Sequence, residues 1–186
     1  MLAVERNART LDYEETSKDF TFNAAATHPA EDREIYVLVV GETSRALNWS
    51  LYGYDRETNP KLSEVSGLTA FTNVLTQSNT THKSVPMLMS AVSAENFDSI
   101  YHQKGIITAF KEAGFKTAFF SNQRYNNSFI DFFGKEADHY DFIKEDSLTA
   151  GQNLSDDYLL ALVQEELAKG NRKQFIVLHT YGSHFN

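Results

Sequence analysis

The 186-residue chain contains no cysteine, which removes disulfides, thiolate metal sites and a cysteine nucleophile together. This absence does not fix a compartment, since many exported proteins also lack cysteine. A long apolar run is missing too. The longest, IYVLVV at residues 35–40, falls far short of the roughly 20 residues a helix needs to span a bilayer. The opening MLAVERNART is too charged for a signal peptide, so the chain as it stands is expected to be soluble. Positive charge is in deficit: 17 Lys and Arg against 25 Asp and Glu leave a net charge of -8. A nucleic-acid surface gathers Lys and Arg on one face. No nucleic-acid partner is therefore expected, and any phosphate chemistry has to be local. Neither an internal repeat nor a low-complexity tract is present.

What the chain does have is a hydrophobic content of 41% and enough length for one domain with a full core. Residues 1–33 are polar and irregular and read as a linker or N-terminal extension; the organised domain runs over 34–186. IYVLVV, closed by Gly41, has the β-branched continuity of a strand buried on both faces. In ETSRALNWSLYGY, Thr43 or Ser44 can cap a short helix. NPKLSEVSG puts Asn59 at an N-cap, Pro60 at N1 and Gly67 past the end. LTAFTNVL (68–75) reads as a second strand. GIITAFKEAG has helical spacing and ends near Gly114, and FKTAFFS follows as a strand. SDDYLLALVQEELAKG is the clearest helix: Ser155 caps it, Asp156 and Asp157 suit its positive end, Leu159, Leu160, Val163 and Leu167 share a face, and Gly170 stops it. QFIVLHTYG is another buried strand. The alternation predicts an α/β fold, a largely parallel central sheet flanked by helices.

Ligands of such sheets bind beyond the carboxyl ends of the strands. Glu42 follows the first strand directly, SNQRYNNS with Arg124 and Asn127 follows the third, and GSH with His184 follows the last. A fourth candidate lies in TQSNTTHKSVPM (76–87), which gathers hydroxyls and positive charge without an acidic residue. Pro86 is tolerated within a first turn, so a helix should begin near His82 or Lys83. Thr81 then sits at or just before its N-terminus, where N–H groups and the helix dipole favour a phosphate or a developing alkoxide. A neutral threonine needs a base or a metal to become a nucleophile, and Glu42 suits one metal ligand. Simpler roles stay open. Thr80 or Thr81 can be an N-cap, Glu42 can pair with Arg45, and His184 can be a solvated loop residue. His82 can simply flank the helix, His102 and His139 look exposed, and His179 sits in a strand where packing suits it better than ligation.

Taken together, VLVVGETSRALNWSLYGYDRETNPKL, TNVLTQSNTTHKSVPMLMS and FIVLHTYGSH resemble the periplasmic catalytic domain of the phosphoethanolamine transferases that modify lipid A, sulfatase-like members of the alkaline phosphatase superfamily. The resemblance spans residues 34–184 in the right order. It implies an enzyme on the periplasmic face of the bacterial inner membrane that transfers phosphoethanolamine from phosphatidylethanolamine to lipid A or another envelope glycan. It also implies Thr81 as the nucleophile that carries the group covalently, Zn2+ held by Glu42 and Thr81 with an Asp-His pair, and Asn127 and His184 as substrate-binding residues.

The chain departs from the family pattern in several places. The Asp-His-Gly segment with the remaining metal ligands is absent, as is the membrane-spanning N-terminal region, so an incomplete domain, inactive alone and holding zinc weakly, is expected. The disulfides of many members cannot form, and Phe185 stands where a glycine often follows the histidine. A sulfatase reading would require a Cys/Ser-x-Pro-x-Arg motif, and here Ser84, Val85 and Pro86 are followed by Met87 and Leu88, with leucine in place of the arginine. A phosphodiesterase on the same scaffold and an inactive module that binds phosphate headgroups are the other readings.

Overall fold

A computed structural model describes residues 9–144 and 154–183. Its centre is a sheet of β1 (Glu34–Val40), β2 (Lys116–Ser121), β3 (His139–Phe142) and β4 (Lys173–His179), in the order β1-β4-β2-β3 and parallel throughout. Six helices are used below: α1 (Tyr13–Ser17), α2 (Pro60–Ser63), α3 (Thr81–Leu88), α4 (Ile106–Glu112), α5 (Phe129–Gly134) and α6 (Tyr158–Ala168). The α/β fold expected from the alternation is present.

Side chains alternate across a strand, and the core divides accordingly. Phe119 of β2 and Phe175 and Val177 of β4 face α3, α4 and α5, in a cluster with Val85, Met87, Ile107 and Phe133. Ala118, Phe120, Ile176 and Leu178 face the other way, onto Leu159 of α6. β4 is buried along its whole length. β1 is not, although its apolar run predicts burial on both faces. Tyr36, Val37 and Val39 are exposed, because β1 ends the strand order and no described element covers its Val37 and Val39 face. Leu38 and Val40, on the other face, join the core.

Several local expectations change. LTAFTNVL forms no strand: it has no partner edge among the described residues, and Phe71, Val74 and Leu75 stand largely in solvent. β3 and α5 are additions, the latter started where the Asp131 carboxylate reaches back to accept from the Ser128 N–H at 3.0 Å. Neither Thr43 nor Ser44 caps the short 3-10 turn at Ala46–Asn48. α6 has Asp157 rather than Ser155 in its N-cap position, and Leu160 points outward while Leu162 packs inward.

The polar leader is not irregular throughout. Tyr13 of α1 is buried, stacks on Phe132 and meets Phe129 edge-on. Its hydroxyl donates to the Gln103 carbonyl at 2.8 Å and to Glu136 at 3.3 Å. Glu136 also accepts from the Gly105 N–H and the Thr108 hydroxyl. One carboxylate thereby ties the leader to the start of α4. Burial raises its pKa despite these donors.

Gly134, at the end of α5, is closely packed against β2. A Cβ there would lie 2.5 Å from Cδ1 of Phe119, whose ring is fully buried. Gly134→Ala is expected to destabilise the fold by about 1–3 kcal/mol, as overpacking does. Urea unfolding of the variant beside the parent measures it, and an unchanged midpoint would show that the Phe119 ring has room to yield.

Candidate active site

The strands finish in line. Val40 pairs with His179, His179 with Ser121, and Ser121 with Phe142, so the residues that follow each strand emerge along one edge. Glu42 comes two residues after β1, Asn122 directly after β2, Lys144 two after β3, and Tyr181 and Gly182 just after β4. The pairing extends past the strand ends: the Thr180 N–H and hydroxyl both donate to the Val40 carbonyl.

Thr81 is the first residue of α3, with Thr80 in the cap position. The helix thus starts slightly earlier than Pro86 alone suggests, and Pro86 lies inside it, buried with Val85 and Met87. Thr81 is not acting as the N-cap. Its Oγ1 donates to Glu42 Oε2 at 3.0 Å across 39 residues of sequence. Glu42 Oε1 accepts from the Thr43 N–H and hydroxyl, both at 3.1 Å. Among the described residues these contacts, and not an ion pair with Arg45, occupy the carboxylate. Thr43 has φ +51°, a left-handed conformation that is unfavourable for a β-branched residue and is found where function holds the backbone. Ser84, the alternative nucleophile of a sulfatase motif, turns back to donate to the Thr80 carbonyl at 3.0 Å.

The edge also collects residues that the motif reading passed over. Asp156 precedes α6, yet its carboxylate accepts from Asn122 Nδ2 at 2.8 Å, the Tyr181 N–H at 2.7 Å and the Gly182 N–H at 2.9 Å. Gly182 has φ +57°, and a Cβ on it would meet the Glu42 carbonyl oxygen at 2.4 Å. Lys144 is buried with its ammonium 3.3 Å from the Tyr181 ring centroid. Desolvation, reinforced by Arg124, lowers its pKa. His179 is 1% exposed; its Nδ1 lies 3.3 Å from Ser121 Oγ, and its Nε2 has no hydrogen-bond partner among the described residues.

Of the other residues singled out from the sequence, Asn127 stands in the exposed loop before α5, which packs against α3. It has φ +58°, a conformation asparagine tolerates, and its Oδ1 accepts from the Tyr125 hydroxyl at 2.7 Å. Arg124 is exposed in the same loop. His184 lies outside the described residues. His82 is exposed but lies within the first turn of α3 rather than flanking it, while His102 and His139 are exposed as expected, His139 approaching Glu166 at 3.0 Å.

The sequence profile of the Sulfatase family matches residues 34–186, which is most of the chain. The chain belongs to the sulfatase family. Within it, the chain is 29% identical over 164 residues to phosphoethanolamine transferase CptA of Salmonella typhimurium, covering 84% of this chain and 28% of that protein. It is 33% identical over 156 residues to phosphoethanolamine transferase OpgE of Escherichia coli, covering 81% and 29%. Among solved structures, it matches the C-terminal periplasmic domain of Escherichia coli EptC in complex with Zn at a TM-score of 0.77 and 28% identity, over 88% of this chain and 48% of that one. The integral membrane phosphoethanolamine transferase EptA of Neisseria meningitidis gives a TM-score of 0.75 at 27% identity, over 100% and 35%. This member of the sulfatase family therefore spans under a third of the curated relatives' length and just under half of the solved EptC domain. No described helix is long and apolar enough to cross a membrane.

Donor chemistry decides how far the site fits a metal. Thr81 Oγ1 and the Glu42 carboxylate converge as two oxygen donors, whereas a catalytic zinc takes three protein ligands. No group of three or more His, Cys, Asp or Glu that could hold a metal occurs among the described residues. The two oxygens fit part of a zinc site.

Burial holds His179 neutral. Desolvation pulls its pKa down to about 4, against the opposing pull of Glu42 and Asp156. Because the folded pKa lies below the ordinary 6.5, the unfolded chain binds more protons as pH falls. The contribution of His179 is therefore intact above pH 6.5 and is lost progressively toward pH 4. Relative to a His179→Phe variant, the protein is expected to lose about 2 kcal/mol more stability between pH 7.5 and pH 5. Urea titrations at the two pH values test this, and equal losses in both proteins would show that His179 is not held neutral by burial.

Proposed function

We propose that this chain carries the nucleophile half of a phosphoethanolamine transferase site. In this reading, phosphoethanolamine moves from phosphatidylethanolamine to lipid A or another envelope glycan through a covalent intermediate on Thr81, at the periplasmic face of the bacterial inner membrane. The observation that carries it is the 3.0 Å hydrogen bond from Thr81 Oγ1 to Glu42 Oε2 at the start of α3. The shared identity of the relatives as phosphoethanolamine transferases supports the group transferred, and the periplasmic and membrane-embedded structures support the location.

The geometry suits an in-line displacement. Thr81 Oγ1 attacks the phosphorus of the donor, and its proton leaves toward Glu42 Oε2, which already accepts its hydrogen bond. The bond from phosphorus to the glycerol oxygen breaks, and diacylglycerol departs after taking up a proton, leaving phosphoethanolamine esterified to Thr81. An acceptor hydroxyl then attacks the same phosphorus, gives up its proton, and restores the Thr81 alcohol. The first-turn N–H groups and the dipole of α3 stabilise charge on the phosphoryl oxygens. Glu42 and Thr81 are assigned as two ligands of a zinc ion, which when bound lowers the pKa of the hydroxyl and neutralises phosphoryl charge. Asn127 and His184 are assigned to substrate binding.

In the intact protein, Thr81→Ala and Glu42→Ala are each expected to lower transfer from a fluorescent phosphatidylethanolamine by at least about a hundredfold, the scale of losing a covalent nucleophile or its activating group. Thr80→Ala and Ser84→Ala are expected to stay within about threefold of the parent, as for residues outside the reacting set. Full activity in Thr81→Ala, or a loss confined to Ser84→Ala, would move the nucleophile elsewhere.

A further inference from the structure

Asp156 occupies the place of a helix N-terminal charge, but its side chain is engaged elsewhere. Oδ1 accepts two hydrogen bonds, from Asn122 Nδ2 and the Tyr181 N–H, and Oδ2 accepts a third from the Gly182 N–H. Charge-assisted bonds of this kind are short and directional. Asn122 is itself fully buried, and its amide also donates to the Leu154 carbonyl, so the clamp is fixed from behind. On the far side of the loop, Gly182 lies so close to Glu42 that any side chain there forces a shift: a Cβ would come within 2.4 Å of the Glu42 oxygen, 3.2 Å of its carbon and 3.3 Å of its nitrogen. Glu42 in turn holds Thr81.

We infer that Asp156 is a positioning residue for the transfer reaction. It grips the backbone of Tyr181 and Gly182, presses that loop against the Glu42 backbone, and so sets where the Glu42 carboxylate meets Thr81. The inference rests on the reading of Glu42 and Thr81 as the reacting pair. The chain of contacts has no slack: carboxylate to N–H, glycine to carbonyl, carboxylate to hydroxyl. A shift of the loop is passed to Glu42 directly, because Glu42 is pinned by its backbone and not by a flexible side chain. Two sequence-distant segments, 154–156 and 181–182, thereby set the position of Glu42.

Asp156→Asn tests this in the intact protein, since it keeps the shape but replaces one acceptor oxygen by an NH2 that opposes a loop N–H. Its kcat for transfer is expected to fall about 10- to 100-fold, as for residues that orient a metal or catalytic ligand, with the donor KM within about twofold and a melting temperature near that of the parent. Gly182→Ala, which leaves the Asp156 carboxylate intact, is expected to show the same split between kcat and KM. The double variant is expected to lose less than the product of the two single losses, because both act through one contact. An Asp156→Asn protein that melts lower but keeps its kcat, or losses that multiply, would overturn the inference. If Asp156→Asn does not fold, Gly182→Ala decides alone: an unchanged kcat there removes the contact with Glu42 from the mechanism. Thr81→Ala separates the two levels. An active Thr81→Ala defeats the transfer reading itself, whereas an inactive Thr81→Ala beside a fully active Asp156→Asn defeats only the role of Asp156.

Discussion

Parallel pairing in a common register is the constraint on which everything else depends. Four strands running the same way must end at the same edge, and Val40, His179, Ser121 and Phe142 form the row where they do. Each strand then delivers its next two or three residues to one place. Glu42, Asn122, Lys144, Tyr181 and Gly182 are neighbours for that reason, although they lie far apart in sequence. Sliding β1 by one residue on β4 would turn Val40 out of the core and carry Glu42 away from both Gly182 and Thr81.

Packing, more than the hydrogen bond, decides where Thr81 stands. A hydrogen bond such as that to Glu42 contributes about 1 kcal/mol net, whereas each large apolar side chain buried by α3 contributes about 1.5–3 kcal/mol. Val85, Met87 and Met89 are all buried at or just beyond that helix. The helix is therefore anchored by its apolar side and presents its N-terminus to the strand edge. The contact with Glu42 follows from that placement and orients the hydroxyl. On the opposite face of the sheet, Leu159 seats α6 against Ala118, Phe120, Ile176 and Leu178, which in turn brings Asp156 to the same edge from the other layer.

What could be read from the sequence was what local pattern controls. The apolar runs of β2 and β4, the turn at Gly114, the stop at Gly170 and the placement of Thr81 at a helix start all depend on neighbouring residues, and the α/β class follows from their alternation. The exposure of β1 is not legible in its sequence because an apolar run does not reveal whether a strand has one neighbour or two. β3 escaped notice because HYDF is short and carries charge, and LTAFTNVL looked like a strand because composition does not supply a pairing edge. Glu42 and Thr81 are singled out by position after a strand and before a helix, and the fold brings their side chains into contact. Asp156 reads as a helix charge in sequence because the segment that uses its carboxylate lies 25 residues downstream, at the end of another strand. Gly182 has a local reason to be glycine in its φ of +57°, and a second that neighbouring residues do not reveal, the Glu42 backbone against it.

The most direct measurement of the account is chemical. The intact protein is incubated with phosphatidylethanolamine carrying an isotopically labelled ethanolamine, quenched during turnover, digested and mapped by mass spectrometry. The labelled phosphoethanolamine is expected on Thr81, lost when acceptor is added and absent from a Glu42→Ala protein. Label on Thr80 or Ser84, or no labelled peptide in a protein that is turning over, would contradict it.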